Sequence, residues 1–210
     1  MFRIPALKTA ALLIGMGFGA ASAATVSVTF DFTALRGSGQ TYGQTIGGLS
    51  LAVDGARYNN NLSIFGNSRV NWNSFGLGAR SGLTDTDPAI DGAGSNEILI
   101  FLFSQVVKIE QITFDAIARR SRADGFVNGA YVGTAAVAQT YDASANGYLA
   151  ALYGIGARTT ASSFRISSLT VTYDDLLTPV SLPAAGLLLA SGLGMLGVMR
   201  RRRQMLPAQA

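Results

Sequence analysis

From Thr25 to Thr33 the chain alternates without a break: Val26, Val28, Phe30 and Phe32 fall on one parity, and Thr25, Ser27, Thr29 and Asp31 on the other. Side chains repeat every two residues in a strand and every 3.6 in a helix, so only a β-strand gives this segment one apolar face and one wet face. Shorter runs of the same character recur at residues 49–53, 62–65, 70–72, 98–103, 111–116, 125–132, 135–140 and 163–173, with turn residues between them. Asn128-Gly129 sits between Phe126-Val127 and Tyr131-Val132, a type I′ hairpin signal because both central residues must take positive φ. In the last run the apolar parity changes from Phe164 and Ile166 to Leu169, Val171 and Tyr173, which a β-bulge at Ser167-Ser168 would absorb. The glycine-rich stretch 37–48 reads as a loop. No amphipathic helix competes with this pattern, so the expected fold is all-β, a single β-sandwich or jelly roll of eight or nine strands over residues 24–178.

Chemistry is narrowed by what is missing. The 210 residues hold no cysteine and no histidine, which removes disulfides, thiolate and imidazole metal sites, and every nucleophile that relies on a histidine base. Lysine occurs only at Lys8 and Lys108. Asp115, Asp124 and Asp142 are scattered and form no evident pair for glycoside hydrolysis. The expectation is therefore a protein that is not an enzyme.

The net charge of +4 belongs to the two ends. Arg3 and Lys8 precede the cargo and Arg200, Arg201, Arg202 and Arg203 follow it, while all twelve acidic residues lie between Asp31 and Asp175. Without those six basic residues, ten remain against twelve acidic ones, a net of −2. A nucleic-acid surface needs its basic residues on the folded domain, so no nucleic-acid partner is expected.

Each end reads as a targeting element. Arg3 and Lys8, the uncharged run 9–20 and the small residues Ala21-Ser22-Ala23 form a secretory signal (residues 1–23), to be cut by signal peptidase after Ala23 or Ala24. Residues 182–199 are eighteen consecutive uncharged, mostly apolar residues followed at once by Arg200 to Arg203. That is the length of a minimal transmembrane helix, and the positive-inside rule puts its arginine stop in the cytoplasm, with the body of the chain on the far side.

The carboxyl-terminal pattern resembles a known sorting signal. Val180-Ser181-Leu182-Pro183-Ala184, then the Gly/Leu/Ala-rich segment, then the arginines, is similar to the VPLPA-type PEP-CTERM tails of Gram-negative bacteria. The likeness covers residues 180–210; Ser181 stands where the motif has proline, and seven residues follow Arg203. It implies that residues 179–210 are a sorting tail recognised by exosortase, a membrane transpeptidase-like enzyme. That enzyme cuts at the motif and passes the cargo to the cell surface or matrix, often among exopolysaccharide. Residues 91–103 also resemble a block found in other such cargo domains, which implies a shared sandwich.

Two features of the cargo carry candidate sites. Asp85, Asp87, Asp91, Asn96 and Glu97 crowd a glycine-containing segment, and hard oxygen donors of this kind suit a structural Ca²⁺ ion; the other reading is a solvated acidic loop. Trp72, in Val70-Asn71-Trp72-Asn73, could stack on a sugar ring beside loop Asn and Asp groups, with Tyr42, Tyr58, Tyr141, Tyr148 and Tyr153 in support; the other reading is a core indole. Three functions stay open on these grounds: a surface or matrix structural protein, a carbohydrate-binding module centred on Trp72, and a secreted hydrolase.

Overall fold

The computed structural model describes residues 24–175 apart from 35, 83–84 and 93–94. Ala24–Asp175 forms a compact unit of its own. Thirteen strands follow in chain order: β1 (Ala24–Asp31), β2 (Gly37–Gly39), β3 (Thr41–Ile46), β4 (Leu49–Tyr58), β5 (Ile64–Asn73), β6 (Gly76–Arg80), β7 (Ile90–Asp91), β8 (Asn96–Asp115), β9 (Arg122–Val127), β10 (Ala130–Ala136), β11 (Thr140–Asp142), β12 (Leu149–Ala157) and β13 (Ser163–Asp175). Among the described residues the helical content is one 3₁₀ turn, Ser144–Asn146, and no helix is long and apolar enough to cross a membrane. The predicted signal, the span 182–199 and the arginine cluster lie outside the described residues.

Adjacent strands run in the order β1-β13-β6-β5-β4-β8-β12-β9-β10, and β8 pairs with β13 as well. The twenty-residue β8 makes this possible by changing neighbours along its length. Its first half, Glu97 to Phe103, lies between β4 and β12, and its second half, Lys108 to Asp115, pairs with β13. The sheet thereby folds back over itself. Phe30 on β1 packs against Phe103 on β8 at 6.0 Å between ring centroids, and Phe32 against Phe101 at 6.3 Å, although β1 and β8 share no ladder. The core between the two faces is built from alternate residues: Val28 and Phe30 from β1, Leu49, Leu51 and Val53 from β4, Leu99, Phe101 and Phe103 from β8.

The β1 alternation, the Asn128-Gly129 hairpin and the β13 bulge are all present. Asn128 and Gly129 have φ of 50° and 80°, and the β13–β8 register slips between Ile166 and Ser168, after which Leu169, Val171 and Tyr173 turn inward. Other expectations are corrected. Residues 37–48 are not a loop but β2, β3 and the hairpin turn Gly47-Gly48, both residues at positive φ. Two of their glycines answer to close approach, since a Cβ on Gly37 would lie 2.9 Å, and one on Gly39 3.2 Å, from the Trp72 indole. Residues 64–65 of the first run and 70–72 lie in one strand, as do 98–103 and 111–115, because the residues between them continue the strand instead of turning; Leu62 precedes β5 at a φ of 65°. Strand β12 has no counterpart among the expected runs: Leu-Ala-Ala-Leu-Tyr-Gly-Ile-Gly-Ala does not alternate, because Gly154 and Gly156 lie under Ile98 and Tyr58 on a face that is itself covered.

That outer face carries a second, smaller core. Ala56, Tyr58, Ile98 and Phe126 are buried there, with Leu62, Ile64 and Ile100 packed against them. Tyr58 and Phe126 meet edge to face at 5.3 Å.

Candidate functional site

Of the five acidic-segment residues, the structure gathers three. Asp91 lies on β7 and its N–H donates to Glu97 Oε2 at 3.2 Å. Glu97 opens the buried part of β8 with no exposed surface, and its Oε1 has no donor among the described residues. Burial, followed by the nearby Asp85 and Asp91 carboxylates, outweighs the single backbone donor and pushes the Glu97 carboxyl up to about 9. Held neutral, Glu97 can donate its proton to Asp85. The other two candidates turn elsewhere. Asp87 accepts from Ala89 N at 3.0 Å and Ser163 Oγ at 3.4 Å, and Asn96 donates to Asn60 at 3.3 Å. Asp85 also accepts from the Ser81 N–H at 2.8 Å. Among the described residues no group of three or more carboxylates has the arrangement of a metal site.

Trp72 stands on β5, half-buried. Gly37 and Gly39 of β2 lie against its ring, and Tyr42 meets it edge-on at 5.4 Å. Its indole is packing surface for the strand above it. The five tyrosines separate in the same way. Tyr42, Tyr58 and Tyr153 are buried, whereas Tyr141 is half-buried and Tyr148 exposed, both at the rim of a cleft.

This cleft is the site that residue patterns did not reveal. It has a volume of about 200 Å³ and lies between the β9–β10 hairpin with β12 on one side and the second half of β8 with β11 on the other. Ile109, Ile112, Phe114 and Ile155 form its buried floor. Val132, Asn146 and Tyr148 stand exposed at its mouth. Asn146 follows from the 3₁₀ turn that Gly147 closes at φ 66°, and its amide donates to the Tyr141 hydroxyl at 3.4 Å. Polar groups along the wall are already committed. The Tyr153 hydroxyl sits 2.8 Å from both the Val107 and Tyr148 carbonyl oxygens. Asp124, 2% exposed, accepts from the Tyr58 hydroxyl at 2.8 Å, from Thr134 through a short contact, and from Arg158 Nε at 3.3 Å. In turn, burial and the Asp124 charge hold the Tyr58 phenol far above its ordinary range. The cleft escaped sequence reasoning because two of its walls come from β12 and from Asp124, neither of which stands out as a pattern.

Ala24, the alternative cleavage residue, is exposed at the start of β1. Ala21 and Ala23, the sorting residues Val180, Ser181, Leu182, Pro183 and Ala184, and Arg200 to Arg203 lie outside the described residues. No protein-family model, curated protein or solved structure matches the chain.

Proposed function

We propose that this chain is an exported structural protein of the cell surface or extracellular matrix. In this reading the all-β unit is a sandwich-type cargo carried between a cleaved signal and a sorting tail that an exosortase-type enzyme removes. The observation that supports it most is where the compact unit stops. Its first strand begins at Ala24, the residue that follows a cut after Ala23, and its last ends at Asp175, five residues before Val180. A cut after Ala23 or within residues 180–184 falls outside every described ladder, whereas a cut after Ala24 would remove the residue that pairs with Asp175. A role among exopolysaccharide follows from the resemblance of the tail and not from any side chain of the cargo. The Trp72-centred carbohydrate-binding reading has less support, because β2 covers the indole.

The intact mass of the mature protein tests this reading. Two cuts are expected, one after Ala23 or Ala24 and one within residues 180–184. In cells with a working sorting enzyme, a mature species that still carries Arg200 to Arg203 rejects the sorting half of the proposal. Replacing Arg200, Arg201, Arg202 and Arg203 together by Gln is expected to leave the tail unprocessed, because positive charge sets the orientation of such a segment. Unchanged surface display of that variant would mean the cluster has no such role.

A further inference from the structure

We infer that the cleft between the β9–β10 hairpin and the second half of β8 is a binding site for a small apolar molecule with a neutral polar head, of the size of a substituted benzene ring or an acyl chain of six to eight carbons.

Size sets the first limit. A cavity of about 150 Å³ lined by Leu, Ile and Phe side chains stays dry and accepts benzene, so the 200 Å³ here has room for a few more carbons and no more. The lining then fixes the class. Ile109, Ile112, Phe114 and Ile155 offer the depth of the cleft only apolar surface. A sugar buried there would bring several hydroxyl groups, each needing a partner to offset the loss of water. Those partners are engaged: the single Tyr153 hydroxyl proton is shared between the Val107 and Tyr148 carbonyls, and Asp124 holds Tyr58, Thr134 and Arg158. A single polar group can be met at the mouth, where the Tyr141 hydroxyl accepts from Asn146 and keeps its own proton to donate.

Charge selects within that class. The one ionisable carboxylate lining the cleft is Asp124, and the nearest amine on β8, Lys108, is held 3.2 Å from Glu110. A carboxylate head would therefore meet no cation, and an alcohol, ester or amide head is preferred over an acid. The site differs from the acidic segment and from Trp72, and it does not depend on how the chain is exported.

Binding of octan-1-ol to residues 24–175, a compact unit with its own core, tests the inference by calorimetry. Saturable one-to-one binding is expected with a dissociation constant of about 10⁻⁴ M, ordinary for a ligand of some nine heavy atoms. Octanoate should bind at least tenfold more weakly. Ala135→Trp, which fills the cleft from β10, should abolish binding. Tyr148→Ala, at the exposed rim, should weaken it several-fold without moving the melting temperature, so the test survives if the tryptophan variant fails to fold. No binding of octanol at millimolar concentration, equal binding by both variants and the parent, or tighter binding of N-acetylglucosamine than of octanol would each overturn the proposal.

Discussion

A fully buried carboxyl with one backbone donor and two carboxylate neighbours costs the fold something at neutral pH, and Glu97 shows the direction. Its folded pKa lies above its unfolded value, so the folded state binds the extra proton and stability is lost as pH climbs from about 4.5 toward about 9. Burial sets this first, and the Asp85 and Asp91 carboxylates add to it; Arg57 of β4 lies opposite Glu97 in the ladder, but its guanidinium stands over the Phe65 ring at 5.4 Å. Glu97→Gln keeps the shape, can donate to Asp85 and carries no proton linkage. It should melt higher than the parent at pH 8, by several degrees, and the gap should close near pH 5. A parent whose melting temperature is flat from pH 5 to 8 would contradict the assignment. Calcium at 10 mM is expected to leave both proteins unmoved, because Asp87 turns to Ala89 and Ser163 and Asn96 to Asn60, so the five candidate residues do not converge on one point.

Strands show where sequence is a sufficient guide and where it is not. β1 was legible because one of its faces meets water, which forces the alternation. The Asn128-Gly129 turn was legible because few residue pairs tolerate two positive φ angles. β12 was illegible because it is covered on both sides, and glycine there records a neighbour and not a turn. A Cβ at Gly156 would stand 2.7 Å from Tyr58 and 2.7 Å from the Glu97 carbonyl, so Gly156→Ala should destabilise by about 1–3 kcal/mol through overpacking. Gly129→Ala meets no atom but keeps φ at 80°, and about 1 kcal/mol is expected there from backbone strain alone. Urea melts of the two variants separate the causes. Removing Ser167 is a harsher test, since losing the bulge would send Leu169, Val171 and Tyr173 to the wet face, and no cooperative transition should remain. The cleft was illegible for a related reason: Ile112, Phe114, Tyr141 and Tyr153 come from three strands, and only the fold of β8 brings them to one space.

At the scale of the whole unit, β1 and β13 are the first and last strands and lie side by side, antiparallel from Ala24↔Asp175 to Asp31↔Ser168. Closing that ladder joins residues about as far apart in sequence as the unit allows, so refolding should be slow for its size, on the order of milliseconds to seconds. Stopped-flow refolding of residues 24–175 would show it. The same pairing determines how the body bears load. Because Ala24 and Asp175 face each other across one ladder, a pull applied between the two ends runs along the inter-strand hydrogen bonds and breaks them one after another, like a zip. In the opposite arrangement, with the ends at far sides of a strand pair, all those bonds would resist together. A protein built this way yields at low force when held by both ends. If it lends strength to a surface layer, the tension has to enter through one end and leave through its flanks.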